Sequence, residues 1–219
     1  MIGINRQKAV VVIVVLTSWF ALILQLYILI RNTPGNGLTP IQAVGRFFIF
    51  FTILTNLLVA ICMSVLLISP RSVAGRFFSR PSVATAVTVY IFIVGLVYNI
   101  VLRNIWDPKG MQKLADELLH VFVPLLFTIY WIMFAQKSSL KWSAIFRWLL
   151  YPALYVVYAI LRGSIEGFYP YPFLDADKLT WQQVFLNCAG LLIVFVIFGL
   201  LFIAVGKRLN RAADHPISI

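Results

Sequence analysis

Long apolar stretches alternate along the chain with short polar segments rich in Pro, Gly and charge. A helix needs about 20 predominantly apolar residues to cross the hydrocarbon core of a bilayer. Six stretches meet that length: Ala9 to Ile30, Phe47 to Ile68, Ser82 to Leu102, Leu118 to Ala135, Trp142 to Leu161 and Thr180 to Val205. Every backbone polar group must be satisfied internally in lipid, so spanning segments are helices or closed barrels. Continuous runs of this length are helices. The pattern predicts an all-α polytopic membrane protein with six transmembrane helices, in a single integral domain over residues 1–219. Asn32-Thr33-Pro34-Gly35-Asn36-Gly37, Ser69-Pro70-Arg71, Trp106-Asp107-Pro108-Lys109-Gly110 and Tyr169-Pro170-Tyr171-Pro172 mark breaks between helices.

Composition sharpens this picture. Apolar residues are 62% of the chain and charged residues only 11%, against roughly 25% charged in soluble domains. Little is left for a soluble domain. A net charge of +11 invites a nucleic-acid reading, but the basic residues sit in short loops, where they act as topology signals. No nucleic-acid partner is expected. Cys62 and Cys188 lie inside apolar runs, with no CxxC and no Cys/His cluster, so neither a disulfide framework nor a metal site is indicated. The first apolar run is too long for a signal-peptide core and is read as a retained span.

Charge placement orients the helices. Of the 18 Lys and Arg residues, eleven fall in the N-terminus, the second and fourth loops and the C-terminus, and seven on the other side. The positive-inside rule then puts both termini in the cytoplasm, with the plasma membrane of a bacterium as the expected location. Asp107, Asp116, Glu117, Glu166, Asp175 and Asp177 all fall on the outer side, and Asp214 alone inside.

Candidate chemistry concentrates in one leaflet. His120 opens the fourth apolar run, and the other histidine, His215, lies in the polar tail. Ionisable side chains within spans are costly and usually face a cavity or a polar partner. At about 1.5 Å per residue, His120 sits roughly 5 Å and Thr52 roughly 9 Å into the outer leaflet. Asn56 shares a face with Thr52, and Asp116 with His120, each four residues apart. The third helix ends near them with Tyr98, Asn99 and Arg103, the fifth with Tyr158 and Arg162. A threonine hydroxyl needs a base to act as a nucleophile, and imidazole suits that task near neutrality. Thr52 and His120 supply both parts of an acyl-transfer site. Asn56, Asn99, Tyr158 and Arg162 are candidate oxyanion donors, and Asp116 a candidate to orient the imidazole. Thr55 is an alternative nucleophile pointing about 300° around the helix from Thr52. Plainer roles compete: Thr52 bonded to the Phe48 carbonyl one turn back, Asn56 joining helices, Arg103 and Arg162 snorkelling to head groups, and the Tyr-Pro-Tyr-Pro segment forming a stiff interfacial turn.

Three segments, Phe51-Thr52-Ile53-Leu54-Thr55-Asn56, Asp116-Glu117-Leu118-Leu119-His120-Val121-Phe122-Val123-Pro124 and Tyr169-Pro170-Tyr171-Pro172-Phe173-Leu174-Asp175, carry a resemblance to a known family. They resemble the androgen-induced-gene family of intramembrane threonine hydrolases, and more closely its bacterial six-helix relatives. The likeness spans essentially the whole chain. It implies a Thr nucleophile and a His base, carried onto Thr52 and His120, and substrates in which a fatty acid is esterified to a hydroxy fatty acid. The spacing from Thr to the following Asn departs from the animal pattern and keeps Thr55 open. The Tyr-Pro-Tyr-Pro loop belongs to the bacterial set and leaves the substrate open.

Three functions follow as expectations. The leading one is a cofactor-free hydrolase of long-chain lipid esters drawn laterally from the membrane. The second is a transport or binding protein in which His120 and Asp116 couple protons and Arg103 or Arg162 holds an anionic head group. The third is a membrane scaffold without chemistry.

Overall fold

Six helices are long and apolar enough to cross a membrane: α1 (Ile2–Arg31), α2 (Phe51–Ile68), α3 (Pro81–Leu102), α4 (Gly110–Phe134), α5 (Ala144–Glu166) and α6 (Trp181–Asp214). The computed structural model describes residues 2–214, with side chains for 5–33, 35 and 37–210; it is 80% helical, with no strand among the described residues. His215 lies outside them.

The six helices do not share their burial equally. In α3, 61% of the apolar window is buried, against 28% in α1 and in α6. The third helix is therefore the centre, packed against α2, α4 and α6, while α1 lies across α2 and α4. Large apolar side chains such as Leu16, Phe20, Ile61, Leu154 and Ile197 point outward with little protein around them. An outward apolar surface of this kind suits lipid as the surrounding solvent.

Helix ends differ from the apolar runs, for local reasons. The second span starts at Phe51 rather than Phe47, because Phe50 is extended (φ −82°, ψ 130°) and separates α2 from a short helix at Pro40–Phe47. Every residue from Phe47 to Leu54 except Thr52 is apolar, so hydropathy runs through the break unmarked. The fourth starts at Gly110 rather than Leu118. Its added first turns are amphipathic, and their polar residues find partners: Gln112 donates to Gln25 of α1 at 2.8 Å and to Asp116 at 3.0 Å. The fifth runs on to Glu166, through an Arg162–Glu166 ion pair one turn apart, and stops at Gly167 in the left-handed region (φ 61°). At the far end of the bundle, Lys137 donates to the Ile132 and Ala135 carbonyls and so covers the C-terminus of α4.

Two irregular turns lie side by side. Tyr98–Leu102 in α3 and Leu118–Phe122 in α4 are π-helical, with bonds running five residues back, as in Arg103 N–H to the Tyr98 carbonyl at 2.8 Å. Single π turns inside α-helices occur often at functional sites. Gly95 lets the two helices meet here, since a Cβ on it would lie 2.9 Å from the His120 carbonyl oxygen and 3.2 Å from Pro124 Cβ.

Candidate active site

Thr52 is the second residue of α2, just after the break at Phe50. The first N–H groups of a helix have no partner within it. Thr52 N–H therefore points into the space beside the helix end, where it donates to the Tyr171 hydroxyl at 3.3 Å. The same hydroxyl lies 3.4 Å from Thr52 Oγ1. Tyr171 comes from the Tyr-Pro-Tyr-Pro loop between α5 and α6. Its ring is stacked on Phe173 at 5.1 Å and meets the edge of Phe50 at 6.1 Å. Burial pushes the Tyr171 phenol above its ordinary pKa, so it stays a protonated donor at neutral pH.

Thr52 Oγ1 is 3.3 Å from His120 Nε2. The other ring nitrogen, Nδ1, is 2.9 Å from the backbone carbonyl of Asp116. A carbonyl only accepts, so Nδ1 carries the proton and Nε2 presents its lone pair to the threonine hydroxyl. This is the tautomer a general base needs. The imidazole is further held by Tyr98, whose ring stacks on it at 3.9 Å and 12°. Thr52 and His120 are both buried.

The expected third member takes a different position. The Asp116 carboxylate accepts from Trp106 Nε1 at 2.7 Å, from Gln112 and, at 3.5 Å, from Tyr98. It is the backbone carbonyl of Asp116, not its side chain, that orients His120. Residues four apart on a helix place side-chain atoms of the second against the carbonyl of the first, and His120 follows that geometry.

The two asparagines are engaged elsewhere than at an oxyanion. Asn56 Nδ2 donates to the Thr52 carbonyl at 2.8 Å and to the Leu119 carbonyl at 3.2 Å. Asn99 Nδ2 donates to the Gly95 carbonyl at 2.7 Å and to the His120 carbonyl at 3.4 Å. Both amides thus serve the irregular turn that carries His120, tying it to α2 on one side and α3 on the other. Tyr158 and Arg162 form a separate cluster: Tyr158 donates to the Phe48 carbonyl, and Arg162 to the Gly45 carbonyl, the Tyr158 hydroxyl and Glu166. Neither lines the space around Thr52. Thr52 Oγ1 meets His120 and Tyr171, so the threonine hydroxyl is directed across the site rather than back onto the Phe48 carbonyl. Thr55 faces α5 and pairs with the Tyr151 hydroxyl at 3.2 Å. Arg103 holds Glu117 at 2.8 Å near the surface.

A cavity of about 590 Å³ opens beside the pair. Thr52, His120 and Tyr171 lie on its wall, along with apolar Phe47, Phe50 and Leu119. It reaches the surface at Asn32, Ile105 and Trp106, which are exposed. This size and mostly apolar lining are those of sites that enclose a small organic ligand. Among the described residues no group of three or more His, Cys, Asp or Glu side chains is placed to hold a metal ion.

Tyr171 and Tyr98 are the site residues for which the sequence carried little signal. Tyr171 stands in a motif whose plain sequence reading is an interfacial turn, and its reach to Thr52 spans 119 positions. Tyr98 was one polar group among several at the end of its helix. Comparison of the chain with family models, with curated proteins and with solved structures finds no match.

Proposed function

We propose that the protein is an intramembrane lipid-ester hydrolase with Thr52 as nucleophile and His120 as general base. The single observation that carries this reading is the 3.3 Å approach of Thr52 Oγ1 to His120 Nε2, with Nδ1 bonded to a carbonyl so that Nε2 is the basic nitrogen. In this reading the positive-inside count supports cytoplasmic termini and an outer-leaflet pair, with a bacterial plasma membrane as the setting. The motif likeness to the androgen-induced-gene hydrolases points the same way.

Chemically, His120 Nε2 removes the hydroxyl proton as Thr52 Oγ1 attacks the ester carbonyl carbon. The donor for the oxygen that becomes negative is the Tyr171 hydroxyl, 3.4 Å from Oγ1, itself steadied by the N–H of Thr52 at 3.3 Å. The intermediate collapses as the C–O bond to the alcohol breaks, and His120 returns its proton to that alcohol oxygen. Water, deprotonated by the same nitrogen, then attacks the acyl-threonine ester. The carboxylic acid leaves and the threonine is restored. The long apolar part of the substrate occupies the 590 Å³ cavity. No cofactor enters the scheme.

The test is hydrolysis of long-chain esters by the purified protein in detergent, together with labelling by a fluorophosphonate probe. Thr52→Ala is expected to abolish both, and His120→Ala to lower turnover by at least 10³-fold. Labelling retained in Thr52→Ala would move the nucleophile elsewhere and sink the assignment.

A further inference from the structure

Two glutamines from different helices meet on the cavity wall, away from the reacting pair. Gln112 Nε2 donates to Gln25 Oε1 at 2.8 Å and to the Asp116 carboxylate at 3.0 Å. A carboxylate only accepts, so it fixes which end of the Gln112 amide carries the nitrogen. Gln25, accepting through Oε1, turns its own Nε2 toward Gln112 Oε1 at 3.5 Å. A bond that long is weak. The pair therefore keeps an N–H of Gln25 and the side-chain carbonyl of Gln112 for another partner. Both side chains are half-buried and line the cavity with Asn32 and Trp106.

This wall is polar but offers no cation. Among the described residues lining the cavity, none is Lys, Arg, Asp or Glu. Arg103 is held by Glu117 and Arg46 lies over the ring of Phe168, and neither lines the cavity. Behind Gln112, the Asp116 carboxylate is bonded to neutral donors from Trp106, Gln112 and Tyr98, and forms no ion pair among the described residues. A second carboxylate brought here would meet uncompensated like charge. A hydroxyl both donates and accepts, and so matches the free N–H and carbonyl of the glutamine pair.

The position of the pair says which part of the substrate it meets. His120 returns its proton to the leaving alcohol, so the alcohol departs on the side that His120 lines, into this cavity. Gln112 stands two turns before His120 on α4, roughly 12 Å along the axis. Ile28, Leu29 and Leu119 supply apolar wall in the same cavity. We infer that the leaving alcohol is a long-chain diol or polyol, whose second, uncharged hydroxyl binds between Gln25 and Gln112. A hydroxy fatty acid, the alcohol that the family resemblance implies, brings a carboxylate to that place instead.

The inference rests on the threonine-hydrolase reading, and one experiment separates their failures. The full-length protein in detergent micelles is given three esters of the same length: the palmitate monoester of a terminal octanediol, the palmitate ester of ω-hydroxyoctanoic acid, and octyl palmitate. The diol ester is expected to have a kcat/KM at least about tenfold above the other two, because a site that hydrogen-bonds a hydroxyl rejects analogues without one. Gln25→Arg should supply the missing cation and shift the preference toward the acid ester by at least about tenfold. Gln112→Met should bring the diol ester down to the level of octyl palmitate. An acid ester or octyl palmitate turned over by the wild-type protein as well as the diol ester overturns the head-group assignment and leaves the hydrolase standing. So does a preference unmoved in whichever variant melts like wild type. No turnover of any ester, with no fluorophosphonate labelling, overturns both.

Discussion

Replacing Tyr171 with Phe removes one oxygen and leaves the ring. The stack on Phe173 and the edge contact with Phe50 are apolar and survive. What is lost is an acceptor 3.3 Å from the N–H of Thr52 and a donor 3.4 Å from Thr52 Oγ1. The two losses differ in size. Loss of the acceptor uncaps the first turn of α2 and costs about 1 kcal/mol of stability. Loss of an oxyanion donor costs about 2.7–4 kcal/mol in the transition state, or 10²–10³ in kcat. The expected result is a small fall in melting temperature with a kcat lowered at least 10²-fold and KM little changed, because the donor acts on charge that develops only after attack. Melting in detergent and steady-state hydrolysis of a long-chain ester measure the two separately. A variant that loses stability but keeps kcat within threefold of wild type would show that Tyr171 only caps the helix, and the oxyanion assignment would be wrong.

Asp116→Asn separates a carboxylate role from a backbone role: because the carbonyl of Asp116 orients His120, kcat should stay within about tenfold of wild type, whereas a triad carboxylate predicts a loss near 10⁴. Gly95→Ala places a Cβ 2.9 Å from the His120 carbonyl oxygen, a backbone atom that yields little, so it should destabilise the protein by about 1–3 kcal/mol and lower kcat as α4 is displaced from Thr52; unchanged melting and activity would contradict the close packing. Asp175 anchors the far end of the Tyr-Pro-Tyr-Pro loop through Lys178 at 2.8 Å, and the hydrogen bond from that ammonium holds its carboxyl below the usual carboxylate range. A lowered folded-state pKa contributes stability that is full above the unfolded value, about 3.9, and is lost as pH falls through the folded value. Wild-type melting should therefore drop in that acid window, and Asp175→Asn should show a smaller drop there.

Much of the architecture was legible in the pattern of apolar positions. Length and hydropathy determine how many helices can span a bilayer, because each helix satisfies its own backbone and needs no distant partner to do so. The same local logic put His120 and Thr52 near one end of the bundle. Tertiary structure decided the rest. The break at Phe50 leaves no trace in an apolar run, yet it frees the N–H of Thr52 and turns that residue toward α4. Choosing Thr52 rather than Thr55 to meet His120 depended on the rotation of α2 against α4 and α5, which packing sets. The asparagines read as oxyanion donors because residue type alone does not say which carbonyl lies within reach; the irregular turn at Leu118–Phe122 supplies those carbonyls. Tyr171 arrives from 119 residues away, and no period or spacing along the chain encodes a contact of that range. Local chemistry follows from the sequence because it acts over one helical turn; the meeting of a loop, a helix end and an imidazole follows only from how the helices pack.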